Sequence, residues 1–91
     1  MEYPFTENKI TENSFIRKFS SDIDDSELNW HMDDEDRSIF VISGNGWMFQ
    51  GDDALPYPIN KGKAFQIRKN SWHRLIKGFG ELRLLIVEGE L

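Results

Sequence analysis

The sequence predicts an all-β barrel or sandwich, and three observations carry that reading. β-branched and aromatic residues come in short runs, the clearest being Ser38-Ile39-Phe40-Val41-Ile42. Turn residues separate the runs at Gly44-Asn45-Gly46, Lys69-Asn70 and Gly78-Phe79-Gly80. No stretch reads as a long helix, and many short strands divided by turn signals are the pattern of a closed or two-layered β fold.

Taken in order, residues 1–13 are polar with one proline and no period, and are expected to form a loose N-terminal arm. Phe15 to Phe19 reads as a short strand. Ser20 to Glu27 is a turn-rich acidic loop in which Asp24 or Asp25 can cap a single helical turn. A strand is expected from Leu28 to Asp33, followed by a bend at Asp34-Glu35-Asp36 and the strand Ser38–Ile42. Asn45-Gly46 is a hairpin signal, because this pair readily supplies the positive φ angles of a type I′ turn. Trp47 to Gln50 then returns as the partner strand. A long, partly extended loop leads to strands at Ala64–Arg68, Ser71–Ile76 and Leu82–Val87.

Side chains alternate along a strand, so residues two apart share a face. His31 and Asp33 fall on one face and Trp30 and Met32 on the other. Arg37, Ile39, Val41 and Ser43 share the interior of the next strand. The expected hairpin pairs Ile42 with Phe49 and Val41 with Gln50, which turns Gln50 inward as a polar group to orient a ligand. The same register gathers Phe40, Ile42, Trp47 and Phe49 on an outer patch too apolar to stay wet. With Trp30 and Trp72 also facing outward, this patch predicts a homodimer, the arm covering part of it through Phe5, Phe15, Ile16 and Phe19.

At 91 residues the chain is read as a single domain, 1–91, of a size that buries only ~60% of its surface on folding. It contains no cysteine, so neither disulfides nor thiolate metal sites are available. No apolar run approaches a membrane span, which leads to the expectation of a soluble, cytoplasmic protein with no membrane partner. A formal charge of −5 argues against nucleic acid as a partner. A small-molecule ligand remains.

Two polar clusters each hold one of the two histidines. The first is Trp30-His31-Met32-Asp33-Asp34-Glu35-Asp36-Arg37, ending in a strand and Gly44; the second runs from Gly62 to His73. Together they resemble the two motifs of a small single-domain cupin, a double-stranded β-helix of the jelly-roll type. His31-x-Asp33 stands in the H-x-H place and Arg37 in the Glu place, with Gly44 at the right distance. Gly62, Arg68-Lys69-Asn70 and His73 occupy the second motif. The resemblance covers residues 28–88, the barrel core. It implies one divalent metal ion (Fe, Mn, Zn or Ni) on His31, Asp33 and His73, with Asp33 replacing a histidine and Arg37 a glutamate that it cannot replace as a ligand. Two imidazoles and a carboxylate form a facial triad suited to Fe(II). In similar 2-oxoglutarate oxygenases a basic residue after the distal histidine grips the co-substrate, a place taken here by Arg83, although so short a chain leaves little room for such a pocket.

Three function classes follow. The resemblance implies a metal-dependent dioxygenase or isomerase acting on a small polar or anionic molecule. Similar metal-free sugar epimerases use a His base held by a carboxylate with arginine gripping an anion, parts that fall here to His31, Asp33 and Arg37; with His73 these are the catalytic candidates. The third class is a binding or structural module whose histidines only line the barrel. Arg37 distinguishes these classes, because a charge at the site needs an anionic partner: Asp33, a carboxylate of the 34–36 bend, or a bound anion.

Overall fold

Alternating apolar and polar residues close two sheets on one another in the computed structural model of the chain, which describes residues 5–90. The strands are β1 (Phe5–Lys9), β2 (Ser14–Phe19), β3 (Arg37–Asn45), β4 (Met48–Gly51), β5 (Tyr57–Pro58), β6 (Ala64–Ile67), β7 (His73–Ile76) and β8 (Phe79–Glu88). Five of them form a sheet in the order β1-β2-β8-β3-β6, and three form a second in the order β5-β4-β7. All pairings are antiparallel.

Register explains what lies inside. Val41 faces Leu84, and Ile39 faces both Ile86 and Phe65 across their ladders. Phe19 faces Leu82 in the same layer. These residues, together with Ile23, Trp47, Phe49, Ile59 and Ile67, form the buried core. Phe5, Phe15 and Leu28 pack against it.

Several expectations change. Of the expected loose arm, residues 1–4 lie outside the described residues, and Phe5–Lys9 is strand β1, in register with β2. Its Phe5 ring packs on Phe19 at 5.5 Å, and that burial orders a segment whose polar residues show no pattern of their own. Leu28–Asp33 is not a strand. Asp25–Glu27 forms a 3-10 turn capped by Asp24, whose side chain accepts from Ser26 N–H, and only His31 pairs beyond it, in an isolated bridge to His73.

The Asn45-Gly46 hairpin does not form either. Gly46 has φ 75°, but Asn45 is not among the residues with positive φ, so the type I′ turn is absent. Instead β3 pairs with β6 and β8, β4 pairs with β5 and β7, and the chain passes from one sheet to the other at this corner. The reason is Trp47. Its ring is fully buried against Phe19, and its indole N–H donates to the Gly80 carbonyl, so packing overrides the local turn preference. Gly78 completes the corner: a side chain there would collide with the backbone of Asn45 and Trp47.

The expected outer patch dissolves with the hairpin. Trp47 and Phe49 belong to the core, while Phe40 stays 44% exposed. What the outer face carries is a row across three strands, Ile16 opposite Leu85 opposite Phe40. Gln50, neighbour of inward Phe49, points the other way. Its side chain donates to the Ala54 carbonyl and accepts from Arg74 Nε (2.9 Å).

Candidate functional site

The bridge between His31 and His73 brings the two sequence clusters together. Each residue's backbone N–H donates to the other's carbonyl, at 3.0 and 2.9 Å. Directly paired residues of an antiparallel bridge send their side chains to one face, and the two imidazoles meet with centroids 4.3 Å apart. Trp30 and Trp72 accordingly point outward, as expected, and are both exposed. Two further contacts fix the first cluster. Asn70 N–H donates to the Asp33 carbonyl (2.7 Å), and Lys69 N–H donates to Asp36 Oδ1 (2.8 Å). Asn70 has φ 59°, the left-handed conformation that asparagine tolerates in a tight turn.

The two rings differ in setting and agree in orientation. His73 is buried, 4% exposed, and stacked on Phe49 with centroids 5.7 Å apart. His31 lies at the opening. Nδ1 of His73 lies 2.9 Å from the Ser71 carbonyl oxygen, and Nδ1 of His31 lies 3.1 Å from that of Asn29. A carbonyl oxygen only accepts, so both Nδ1 atoms carry a proton and Nε2 is the atom left for a further partner on each ring. Burial lowers the His31 pKa from its usual value; the bond to Asn29 opposes this, while neighbouring His73 and Arg37 add to it.

Asp33 meets these nitrogens. Its Oδ2 lies 3.2 Å from His73 Nε2 and 3.5 Å from Arg37 Nη1, yet no donor hydrogen is aligned on this buried oxygen. Burial pushes the Asp33 pKa up, but a hydrogen bond from His73, available when its Nε2 carries a proton, and the positive charge of Arg37 outweigh it and hold the carboxyl below its ordinary range. A carboxylate oxygen and an imidazole lone pair at such a distance repel unless a proton or a cation sits between them. One donor atom from each of His31, Asp33 and His73 lies within 4.8 Å of the others. Ligands of one ion with bonds of ~2 Å stand about 3 Å apart when adjacent, so a small rotation of exposed His31 is the adjustment that ligation needs. The donor set suits a divalent ion.

Arg37 faces the site but its main partner is neither Asp33 nor the 34–36 bend. Nε and Nη2 both donate to Glu88 Oε2, at 3.0 and 2.9 Å. Glu88 was not singled out in the sequence, although it continues the inward alternation Leu82, Leu84, Ile86. Arg17 was missed in the same way: it lies between inward Phe15 and Phe19. It is paired with Glu7 at 2.7 Å, and its Cζ sits 3.8 Å over the Phe5 ring. Arg83 does not reach the site. It is exposed on the outer face and bonded to Glu81 at 2.8 Å, because its neighbours Leu82 and Leu84 take the inward positions.

A cavity of about 340 Å³ opens over these groups. Its lining combines apolar Phe5, Phe19, Leu28 and Leu75 with Arg17, Arg37, Asp33 and His31. Lys77 Nζ donates to the Ile23 carbonyl (2.7 Å), holding the 20–29 segment that supplies Leu28 and Asn29 to the rim.

No protein-family model and no curated protein matches the chain. Solved structures do. Cobalt(II) HppE in complex with Tris buffer superposes with a TM-score of 0.77 over 98% of this chain and 55% of that one, at 13% identity.

The chain has a cupin-type fold.

The cupin-type barrel also superposes on a putative mannose-6-phosphate isomerase from Ralstonia eutropha JMP134, with a TM-score of 0.66 and 17% identity over 96% of this chain and 83% of that one. Hydroxypropylphosphonic acid epoxidase from S. wedmorenis, in complex with fosfomycin, gives 0.67 and 13% over 84% of this chain and 42% of that one. The chain thus spans about half or less of the two larger neighbours. At these identities the likeness speaks for the fold, and the site rests on its own geometry. No helix among the described residues is long and apolar enough to cross a membrane.

Proposed function

We propose that this small cupin-fold protein holds one divalent metal ion on His31, Asp33 and His73 and acts on a small polar molecule in the cavity above it. One observation carries the reading: a donor atom from each of two imidazoles and a carboxylate converge within 4.8 Å, and the buried Asp33 oxygen among them has no aligned hydrogen-bond donor. The surrounding charge supports it. Asp33, Glu27, Glu7 and Glu88 line the cavity or pair with its lining, against two guanidiniums, Arg17 and Arg37, so a dication balances the set. Two imidazoles and one carboxylate favour Fe(II), with Mn(II), Zn(II) and Ni(II) in the same ligand class. A bound ion of this kind supplies Lewis acidity and open coordination positions, the chemistry of a dioxygenase or isomerase.

The chain's own residues supply the rest. Phe5, Phe19, Leu28 and Leu75 exclude water from one side of the cavity, and Arg17 offers the donors that Glu7 leaves free to a polar substituent. His73 is held rigidly by Phe49 and Ser71, whereas His31 at the mouth can adjust. Calorimetric titration of Zn(II), Mn(II) and anaerobic Fe(II) tests the reading. One ion per chain is expected, and Asp33→Ala or His73→Ala should abolish it; a folded wild type that takes up none contradicts it.

A metal-free reading has one observation in its favour, the close approach of Asp33 to His73. In that arrangement an Asp33-held imidazolium serves as an acid. Its weakness is that both arginines lining the cavity are already paired, Arg17 with Glu7 and Arg37 with Glu88, so an anionic substrate would have to compete with these carboxylates. We also propose a homodimer formed over the outer row Ile16, Leu85 and Phe40, with Val87 beside it. Light scattering at high concentration should return twice the 10.7 kDa chain mass; the monomer mass contradicts it. A cytoplasmic location belongs to the same proposal and rests on composition alone.

A further inference from the structure

We infer that Glu88 is a positioning residue that keeps Asp33 available to a metal ion by holding Arg37 off it. The inference rests on the metal reading of the site. Arg37 stands four residues from Asp33 in sequence and within ion-pair range of it. It makes its hydrogen bonds elsewhere, because the end of β8 places Glu88 directly opposite Arg37 in the ladder. Two of the guanidinium's nitrogens donate to Glu88 Oε2 at 3.0 and 2.9 Å. The third, Nη1, is left 3.5 Å from Asp33 Oδ2, outside good hydrogen-bond reach.

The geometry of the strands makes this arrangement firm. Arg37 and Glu88 are both inward at the ends of paired strands, with the Phe15 ring 5.8 Å from the Arg37 guanidinium carbon. The Arg37 side chain is only 13% exposed, so it has few anionic partners to choose from. Glu88 and Asp33 compete for one guanidinium, and a charge-assisted contact forms with whichever carboxylate is better placed. Loss of Glu88 leaves Asp33 as the neighbouring anion. The guanidinium then closes on Oδ2, which must shed that contact before it can bind an ion.

Zn(II) titration by calorimetry on four proteins tests this: wild type, Glu88→Asp, Glu88→Gln and the double variant Arg37→Met/Glu88→Gln. Glu88→Asp keeps the charge but draws the carboxylate back by about one carbon–carbon bond, ~1.5 Å. Both single variants should bind Zn(II) about tenfold more weakly, a change of ~1.4 kcal/mol. The double variant, which has no guanidinium to close on Asp33, should bind at least as tightly as wild type. It also replaces a partly buried ion pair by neutral groups, so it keeps the question answerable if a single variant does not fold. Wild-type affinity in Glu88→Asp overturns the inference, and so does a double variant no tighter than Glu88→Gln. A wild type that binds no Zn(II) fails at the earlier step and overturns the metal reading itself.

Discussion

The two ends of the barrel are built from the same strands and contain opposite chemistry. On the inner face of β8, Leu82, Leu84 and Ile86 lead to Glu88; on β3, Val41 and Ile39 lead to Arg37. At the closed end Val41, Trp47, Ile59 and Leu82 are fully buried. At the open end Arg37, Glu88 and Asp33 are polar and only partly covered, with His73 buried beside Asp33. A single pleat step separates hydrocarbon from charge. The comparison teaches that the fold's stability and its chemistry are held in different layers: the closed end fixes the strands, and the open end uses their last inward positions.

That separation can be broken most forcefully at Trp47. Trp47→Ala removes the largest fully buried side chain and should destabilise the protein by ~3–5 kcal/mol in urea unfolding. At low temperature, the fraction that remains folded should hold metal with wild-type affinity. A large loss of affinity per folded molecule would mean that the two ends are not independent.

Arg37→Glu is the next largest effect and sharpens the same contrast. It adds a carboxylate at the open end and removes the guanidinium near Asp33. Zn(II), Mn(II) or Fe(II) affinity should rise about tenfold, ~1.4 kcal/mol by calorimetry. The metal-free form should melt lower, because Glu88 then faces a like charge. Unchanged affinity in a folded variant would show that position 37 does not reach the ion.

The smallest expected effect is on pH. His31 and Asp33 both have pKa values below their ordinary ranges. A folded state that binds protons less readily than the unfolded chain loses stability as pH falls. The metal-free protein should therefore keep its stability contribution from His31 above pH ~6.5 and lose it below, with a further loss below ~3.9 as Asp33 titrates. Melting temperature against pH, with chelator present, measures both limbs. His31→Asn should remove the upper one, and stabilisation on acidification would contradict the burial account.

Much of this was legible from spacing. His31-x-Asp33, Arg37 and His73 fall at motif distances in a β-rich chain, and the structure brings all four side chains together. The strand alternation also gave Ile39 and Val41 inward and Trp30 and Trp72 outward. What misled was local turn chemistry. Asn45-Gly46 reads as a hairpin because a turn preference is local, whereas Trp47's burial depends on Phe19 from another strand. From that one error came the inward Gln50 and the apolar outer patch. Glu88 and Arg17 escaped notice for a related reason. A charge inside a strand reads as solvent-facing unless its apolar neighbours two residues away are counted first.

The central claim is that His31, Asp33 and His73 form one metal site at the open end. Anomalous scattering from a crystal soaked in Co(II) tests it most directly, with data collected on both sides of the cobalt absorption edge. The expected result is a single strong peak within ~2.2 Å of both histidine Nε2 atoms and an Asp33 oxygen. A peak confined to the Asp34-Glu35-Asp36 bend, with the space between His31 and His73 free of anomalous signal, would contradict it.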